Sequence, residues 1–351
     1  MKKIPILICL FALNIIGCNS NSDKQFEKHQ KARDNIKNVS KNITDIKTDF
    51  IISKPEYYII KDILIIHDLR PEGNKGIHLY NKNTFEYITS TGIRGKGPGE
   101  ITRPGFIGIN EKDSILWVQD HGKLVMWKFH LDSILNNKKY KPTEKIALNN
   151  DFFIEEFDFL NDSLVLGRAI DVIDNSSYRM AMAKRNLNTN KIKKYGYEHS
   201  KVNGEKKSRF TFDLSVDDSL YVKNYFYSDL ITICDLEGKL QHNVYGPGWS
   251  NNKDNKKNYF SGVEITNNHI IASYLGEAEW IFNNNNKNNR PDSNYPTKFL
   301  VFDLEGNYKK TIETGHEFTH FCVDNANNRV LVYFRDRENP LGYFNLDFDQ
   351  L

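Results

Sequence analysis

The sequence predicts an all-β fold, a six-bladed β-propeller built from four-stranded antiparallel blades. Three observations carry the prediction. The first is a repeat: a polar pair, usually containing Asp or Asn, followed by a short apolar burst. It occurs as Asp62-Ile63-Leu64-Ile65-Ile66, Asp113-Ser114-Ile115-Leu116-Trp117-Val118 and Asp162-Ser163-Leu164-Val165-Leu166. It returns as Asp218-Ser219-Leu220-Tyr221-Val222, Asn268-His269-Ile270-Ile271-Ala272 and Asn328-Arg329-Val330-Leu331-Val332. Six copies at a spacing near fifty residues point to a ring or an array of similar units. The second is that each burst is continuous rather than alternating, as in a strand covered on both faces. The third is the aromatic content of 13%, mostly Tyr and Phe, which favours strands.

Each unit holds four strand-like segments in order. An apolar stretch precedes the burst, as in "PGFIGIN" and "RFTFDLSV". Another follows it, as in "KLVMWKF", "DLITICDLEG" and "KFLVFDLEG", and a last one closes the unit, as in "YKKTIETG". The repeated Asp-Leu-Glu-Gly at Asp235–Gly238 and Asp303–Gly306 reads as the turn between third and fourth strands, with Gly taking a positive φ. In a propeller, neighbouring sheets cover the middle strands from both sides, which explains the unbroken apolar runs. The last unit supplies only three strands before the chain stops. "DIKTDFII", from Asp45 to Ile52, is expected to supply the fourth and so close the ring without an open edge.

The propeller is therefore assigned to residues 44–351. Ahead of it, Met1-Lys2-Lys3 and the apolar run Ile4 to Ile16 have the layout of a secretory leader, and the run is too short to span a bilayer. The leader ends in Ile15-Ile16-Gly17-Cys18, which resembles the lipobox of bacterial lipoproteins. That resemblance implies cleavage after residue 17, lipid on Cys18, and an anchor of several acyl chains. Asn19 follows Cys18 in place of the Asp that often marks inner-membrane retention, so the expected address is the cell envelope, at the outer membrane. Residues 18–43 are polar, with few large apolar side chains, and read as a flexible tether.

The charge balance limits the partners. Lys and Arg number 48 against 45 Asp and Glu, a net charge of +3, which the loss of Lys2 and Lys3 reduces to +1. A general basic field is absent, so nucleic acid is not an expected partner. A monomer is expected. Of the four cysteines, Cys9 leaves with the leader and Cys18 takes lipid. Cys234 and Cys322 lie in apolar runs and are expected as buried thiols on separate strands.

Thr89 to Gly105, "TSTGIRGKGPGEITRPG", invites a phosphate-loop reading. Such a loop needs Lys-Ser/Thr opening a helix whose N–H groups hold the phosphate. Here Lys96 precedes Gly97-Pro98, Pro104 blocks a helix start, and the next segment reads as strand. Tyr245-Gly246-Pro247-Gly248 echoes the stretch after the fourth unit, and Gly196 and Gly315 fall at equivalent points. The stretch is thus expected to be a hinge between blades, with Gly giving freedom and Pro direction.

"GIRGKGPGEITRPGFIGI" followed by "DSILWVQD" resembles the six-bladed propeller lipoproteins abundant in Bacteroidetes, of the TolB-like and NHL-like type. The resemblance implies a six-bladed fold and an extracytoplasmic location, and it implies no catalytic residues.

In a propeller these inter-blade links share one face with the loops between second and third strands. That face is the candidate ligand-binding surface. It would carry His67, Asp68 and Arg70 from unit one, with Arg94, Lys96, Glu100 and Arg103 from the link that follows. Asp120 and His121 come from unit two, Arg168 and Asp171 from unit three, and Lys223 and Asn224 from unit four. Unit five adds Glu277, Glu279 and Trp280, and unit six Arg335, Asp336 and Arg337.

Other motifs carry less. "HEFTH" at His316–His320 matches a zinc-protease pattern, but that chemistry needs a helix. On a strand the two histidines stand about 13 Å apart, too far for one ion. A G-x-S-x-G elbow, an aspartate-box repeat and an EF-hand loop are all absent. No cofactor is expected, although scattered Asp leave calcium open. Glu277 and Glu279 are a carboxylate pair of the kind glycoside chemistry uses, and alternation alone does not set their separation. Two Asn-rich stretches, Ser250–Asn258 and Asn283–Asn294, are expected as mobile loops. The functional expectation is a non-enzymatic binding module for a protein, peptide or glycan. The alternative is a lyase or hydrolase acting on glycan or peptide.

Overall fold

The computed structural model describes residues 23–148, 152–174, 177–202, 208–250, 257–278, 280–281 and 292–348. The leader, Cys18, Glu279 and most of both Asn-rich stretches lie outside them. The described residues form six sheets arranged as the blades of a propeller. Blade 1 runs Pro55–Ile60, Ile63–Asp68, Lys75–Asn81 and Tyr87–Ile93. Blade 2 runs Pro104–Asn110, Ile115–Asp120, Val125–His130 and Lys145–Ala147, with one short helix, Leu131–Asn136, before its last strand. Blade 3 runs Phe152–Phe159, Leu164–Asp174, Ser177–Asn186 and Lys191–Lys194. Blade 4 runs Phe210–Ser215, Leu220–Tyr225, Leu230–Asp235 and Leu240–Tyr245. Blade 5 runs Lys257–Thr266, His269–Ala278, Lys298–Asp303 and Tyr308–Glu313. Blade 6 runs Phe318–Asp324, Arg329–Phe334 and Leu341–Asn345, completed by Thr44–Asp45.

All six apolar bursts are second strands, buried between the flanking blades. The core is divided into seams, one between each pair of neighbours. Ile65, Ile77 and Leu79 of blade 1 pack on Leu116, Val118 and Phe129 of blade 2. Ile233 and Val244 of blade 4 pack on Phe260, Ile270 and Leu300 of blade 5. Leu64 and Ile66 meet Leu331 and Leu341 across the closing seam of blades 6 and 1. Each fully buried Leu, Ile or Phe stabilises such a seam by roughly 1.5–3 kcal/mol. A blade outside the ring would leave both its faces wet, so closure and core formation are one event.

The two Asp-Leu-Glu-Gly turns adopt the expected geometry. Gly238 and Gly306 have φ of 85° and 81°. The Asp235 carboxylate accepts the N–H of Glu237 and Lys239 at 3.1 and 2.8 Å, and Asp303 does the same for Glu305 and Asn307.

Ring closure is shorter than the sequence suggests. Only Thr44 and Asp45 pair, with Tyr343 and Gly342, and Ile46 N–H adds a bond to Leu341 O at 2.8 Å. The rest of the expected strand turns away because Ile46 and Ile52 are buried in the closing seam.

The region read as a free tether differs more. Glu27–His29 pairs parallel to Asn243–Tyr245 on the outer edge of blade 4, and Ile36–Asn38 pairs parallel to Thr311–Glu313 on blade 5. Both edges would otherwise present unpaired backbone groups, and a passing chain of almost any composition can satisfy them. Residues 27–45 thus form a belt over three blades. Cys234 and Cys322 are buried free thiols.

Candidate functional site

The links between blades and the loops after the second strands do gather on one face, and buried aspartates bind them to each other. Asp68 accepts the N–H groups of Ser53, Lys54 and Arg70 at 3.0, 3.1 and 2.9 Å. Asp120 accepts those of Thr102, Arg103 and Gly122 at 2.9, 2.9 and 3.0 Å. Both side chains are wholly buried. They shape the face from beneath and offer a ligand nothing.

His67 and Lys223, expected on the surface, are buried as well. Burial holds the His67 imidazole down at about 4, so it is neutral near pH 7. Lys223 Nζ donates to Tyr197 O at 2.7 Å and lies 5.5 Å from the Phe210 ring centre. Asn224 is buried too. Arg168 points to the propeller axis rather than to the loop face. The exposed members are Arg70, Arg94, Lys96, Arg103, Glu277, Trp280, Arg335 and Asp336, with Glu100 and His121 half-buried. Arg94 Nη1 donates to Pro71 O at 3.0 Å, Arg335 lies 3.7 Å over the Tyr295 ring, and Asp336 bonds His316 Nδ1 at 3.2 Å. Asp171 is held by Arg179 and Lys194, and Arg337 by Asp45.

The glycine stretch is a link between blades 1 and 2, followed by strand. Most of its amides are already used. Gly97 N–H donates to Glu100 Oε2 at 2.8 Å, Gly95 N–H to Ile101 O at 3.0 Å, and those of Thr102 and Arg103 go to Asp120. A phosphate would find no free N–H cradle among them. The link nevertheless borders a cavity of about 480 Å³ on the rim of blade 2. Lys96, Lys123, Lys141 and Lys145 line it together with Trp127, Pro98 and Pro142. Only Lys96 was foreseeable as a face residue. The other three lysines come from two separate segments of blade 2, so no local motif joins them.

A second grouping surrounds the axis. The first strands of the blades line it, and they bring Glu56, Glu155, Glu156, Asp158, Asp213 and Glu264 inward. Several of these tie one blade to the next. Ile265 N–H donates to Asp213 Oδ2 at 2.5 Å and Val323 N–H to Glu264 Oε2 at 2.7 Å. Tyr58 donates to Glu56 at 2.7 Å and accepts from Ile107 N–H at 3.2 Å. Arg168 is the central cation, 3.1 and 3.0 Å from Glu155 and Glu156, and it donates to Phe210 O at 2.7 Å. Burial raises five of them, Glu56, Glu156, Asp158, Asp213 and Glu264, and repulsion from neighbouring carboxylates adds to it. Glu56 and Asp213 each reach about 7, and Glu156, Asp158 and Glu264 also move up. The enclosure is not dry, since Glu56 keeps 26% of its side-chain exposure to the channel.

Among the described residues, no group of three or more His, Cys, Asp or Glu is placed to hold a metal ion. His316 and His320 share the first-strand region of blade 6, where His316 pairs with Asp336 and burial holds His320 down at about 4. No helix among the described residues is long and apolar enough to cross a membrane.

Six four-stranded blades closed by an N-terminal strand define the molecule as a six-bladed β-propeller. Residues 34–326 match the family model described as TolB-like 6-blade propeller-like, and the chain belongs to that family. It is similar in fold to a putative exported protein of Bacteroides fragilis, at 12% identity and a TM-score of 0.56. That alignment covers 91% of this chain and 98% of the other. A DUF4221 family member from Bacteroides vulgatus aligns at 11% identity and TM-score 0.53, covering 87% and 98% of the two chains. The RRP9 WD40 repeats align at 7% and 0.55, covering 88% and 98%. At these identities the likeness is one of fold. No curated protein matches the chain.

Proposed function

We propose that this protein is a lipid-anchored, extracytoplasmic binding module that presents its loop face to a protein, peptide or glycan. The observation that carries the reading is Trp280, whose side chain is 49% exposed in the short strand Trp280–Ile281 that follows the blade 5 second strand, taken together with the exposed Arg70, Arg94, Arg103 and Arg335. Exposed Trp and Arg are the side chains that most often anchor a partner. Export and anchoring rest on the leader, the Gly17-Cys18 pair and the likeness to an exported protein. The belt sharpens the picture. Pairing begins at Glu27, so a lipid on Cys18 would hold the blade 4 rim within about 30 Å of the membrane.

The test is a pull-down from envelope extract with the full-length protein and with the combined Arg94→Ala, Arg103→Ala and Arg335→Ala variant. A partner recovered with the first and lost with the second supports the loop face, and equal recovery removes it.

The axial carboxylates favour one second reading, a lyase or hydrolase acting on glycan or peptide. A carboxyl group held near 7 is suited to donate a proton at neutral pH. A lyase and glycosidase screen with Glu56→Gln and Asp213→Asn as controls tests it, and activity lost in both variants would favour the enzyme.

A further inference from the structure

We propose that the cavity between the blade 1–2 link and the rim of blade 2 binds an acidic saccharide, a sugar bearing carboxylate or sulfate groups. The inference deepens the binding-module reading and rests on it, but it uses other residues than the arginines of the loop face.

Charge is the first argument. Four lysines line the cavity. The nearby carboxylate, Glu100, is already engaged by Lys141 Nζ at 2.8 Å and by Gly97 N–H at 2.8 Å. Glu144, next in sequence to Lys145, is bonded to Lys128 and His130. The cavity therefore keeps a surplus of positive charge. Lys96, Lys141 and Lys145 are exposed, so their ammonium groups can move onto a ligand. Lysine offers a point charge on a flexible stem and can follow anionic groups spaced irregularly along a sugar.

The second argument is a built floor. Lys123 Nζ donates to Gly97 O at 2.8 Å and to Glu100 O at 2.6 Å, clamping the glycine link from below. Gly99 has a φ of +67°, and a Cβ there would lie 2.6 Å from Pro142 O. The link is thus pressed against the far wall in a conformation that only Gly takes cheaply. A ligand would meet a shaped site rather than a loose loop.

The third argument concerns ligand class. The volume falls within the roughly 300–1,000 Å³ of small-molecule sites. Pro98 and Pro142 give apolar walls, and Thr143 adds a hydroxyl. A nucleotide fits poorly. The Trp127 side chain lies in a residue only 4% exposed, with Lys145 and Lys123 at 5.2 and 5.7 Å from its ring, so a base has no open aromatic face to stack on. Most of the link amides that would cradle a phosphate are spent.

Titration calorimetry on the full-length protein in detergent tests the site. The probes are an oligogalacturonate tetramer, a sulfated maltotetraose, neutral maltotetraose and inorganic sulfate. The expected result is binding of at least one acidic tetramer, weakened by salt between about 50 and about 500 mM. The Lys96→Ala, Lys145→Ala double variant should weaken it about tenfold or more, while Lys96→Arg, Lys145→Arg and the triple arginine variant leave it intact. The carboxylated and sulfated arms identify the anionic group. Equal binding of the neutral tetramer, binding of inorganic sulfate alone, no binding, or indifference to the lysine change would each overturn the proposal. Loss on the arginine changes, with or without loss on the lysine changes, would also overturn it. That outcome would leave the loop-face reading standing.

Discussion

Arg33 Nη2 lies 2.9 Å from Asp229 Oδ1, and both side chains are buried, at 8% and 0% exposure. The pair joins the N-terminal belt to the blade 4–5 seam. The Arg33 guanidinium also sits 4.9 Å over the Tyr274 ring, so blade 5 supplies a second contact. Removing one member of a buried pair strands the other charge in low dielectric. Arg33→Ala is expected to cost about 3 kcal/mol or more. Urea unfolding monitored by Trp fluorescence measures it, and a loss below about 1 kcal/mol would mean the belt is a surface ornament.

Gly246 makes room for that pair. A Cβ at this position would lie 2.2 Å from Arg33 Nη2 and 2.2 Å from Asp229 Cγ. Gly246→Ala should therefore destabilise the wild type, and should cost less in an Arg33→Ala background. The double-mutant cycle reports the difference, and strictly additive losses would separate the glycine from the ion pair.

Asp120 is a comparable case on the loop face. It satisfies three backbone N–H groups from two different segments, with Lys123 N–H a fourth at 3.3 Å. Asp120→Ala would leave these donors unpaired beside a new hole. A loss of about 3 kcal/mol is expected, with faster proteolytic cleavage within residues 94–103. Unchanged cleavage would show that the glycine link keeps its shape without the carboxylate.

These residues also show where sequence reasoning reaches and where it stops. The second strands were legible because burial on both faces demands unbroken apolar runs, and Asp120 ends one of them. Its role was not legible, since an Asp after a strand looks the same whether it meets solvent or backbone. The belt was hidden for a related reason. Glu27–His29 and Ile36–Asn38 hold their places by backbone pairing, which leaves no apolar signature in so short a strand. Arg33 does its packing alone. The axial acids escaped notice because register irregularities between Ile154 and Glu156 break the alternation of blade 3. The lysine cavity draws on three segments, and only the folding of the blade 1–2 link back against the outer part of blade 2 brings Lys96 beside Lys145.

The axial acids make stability depend on pH in a defined direction. Glu56 rises from an ordinary 4.5 to about 7 in the fold, and Asp213 from 3.8 to about 7. The folded state therefore holds these protons more tightly than the unfolded chain. The contribution is fully present below about 4 and is lost as pH rises through about 7. Carboxylates that the fold lowers act oppositely and in a different window. Asp45, Glu144 and Asp303 are lowered by their partners, and lose their contribution only as pH falls below the ordinary carboxylate range. His67 and His320, which burial holds down at about 4, act oppositely between about 4 and about 6.5, so the axial groups should dominate the slope from about 6.5 to about 8, where thermal stability should decline. Glu56→Gln and Asp213→Asn keep an oxygen acceptor and remove the charge. Each variant should decline less than the wild type over that interval, and the gap should open upward with pH. Melting curves at several pH values would show it, and parallel profiles would mean that these carboxylates stay hydrated in the fold.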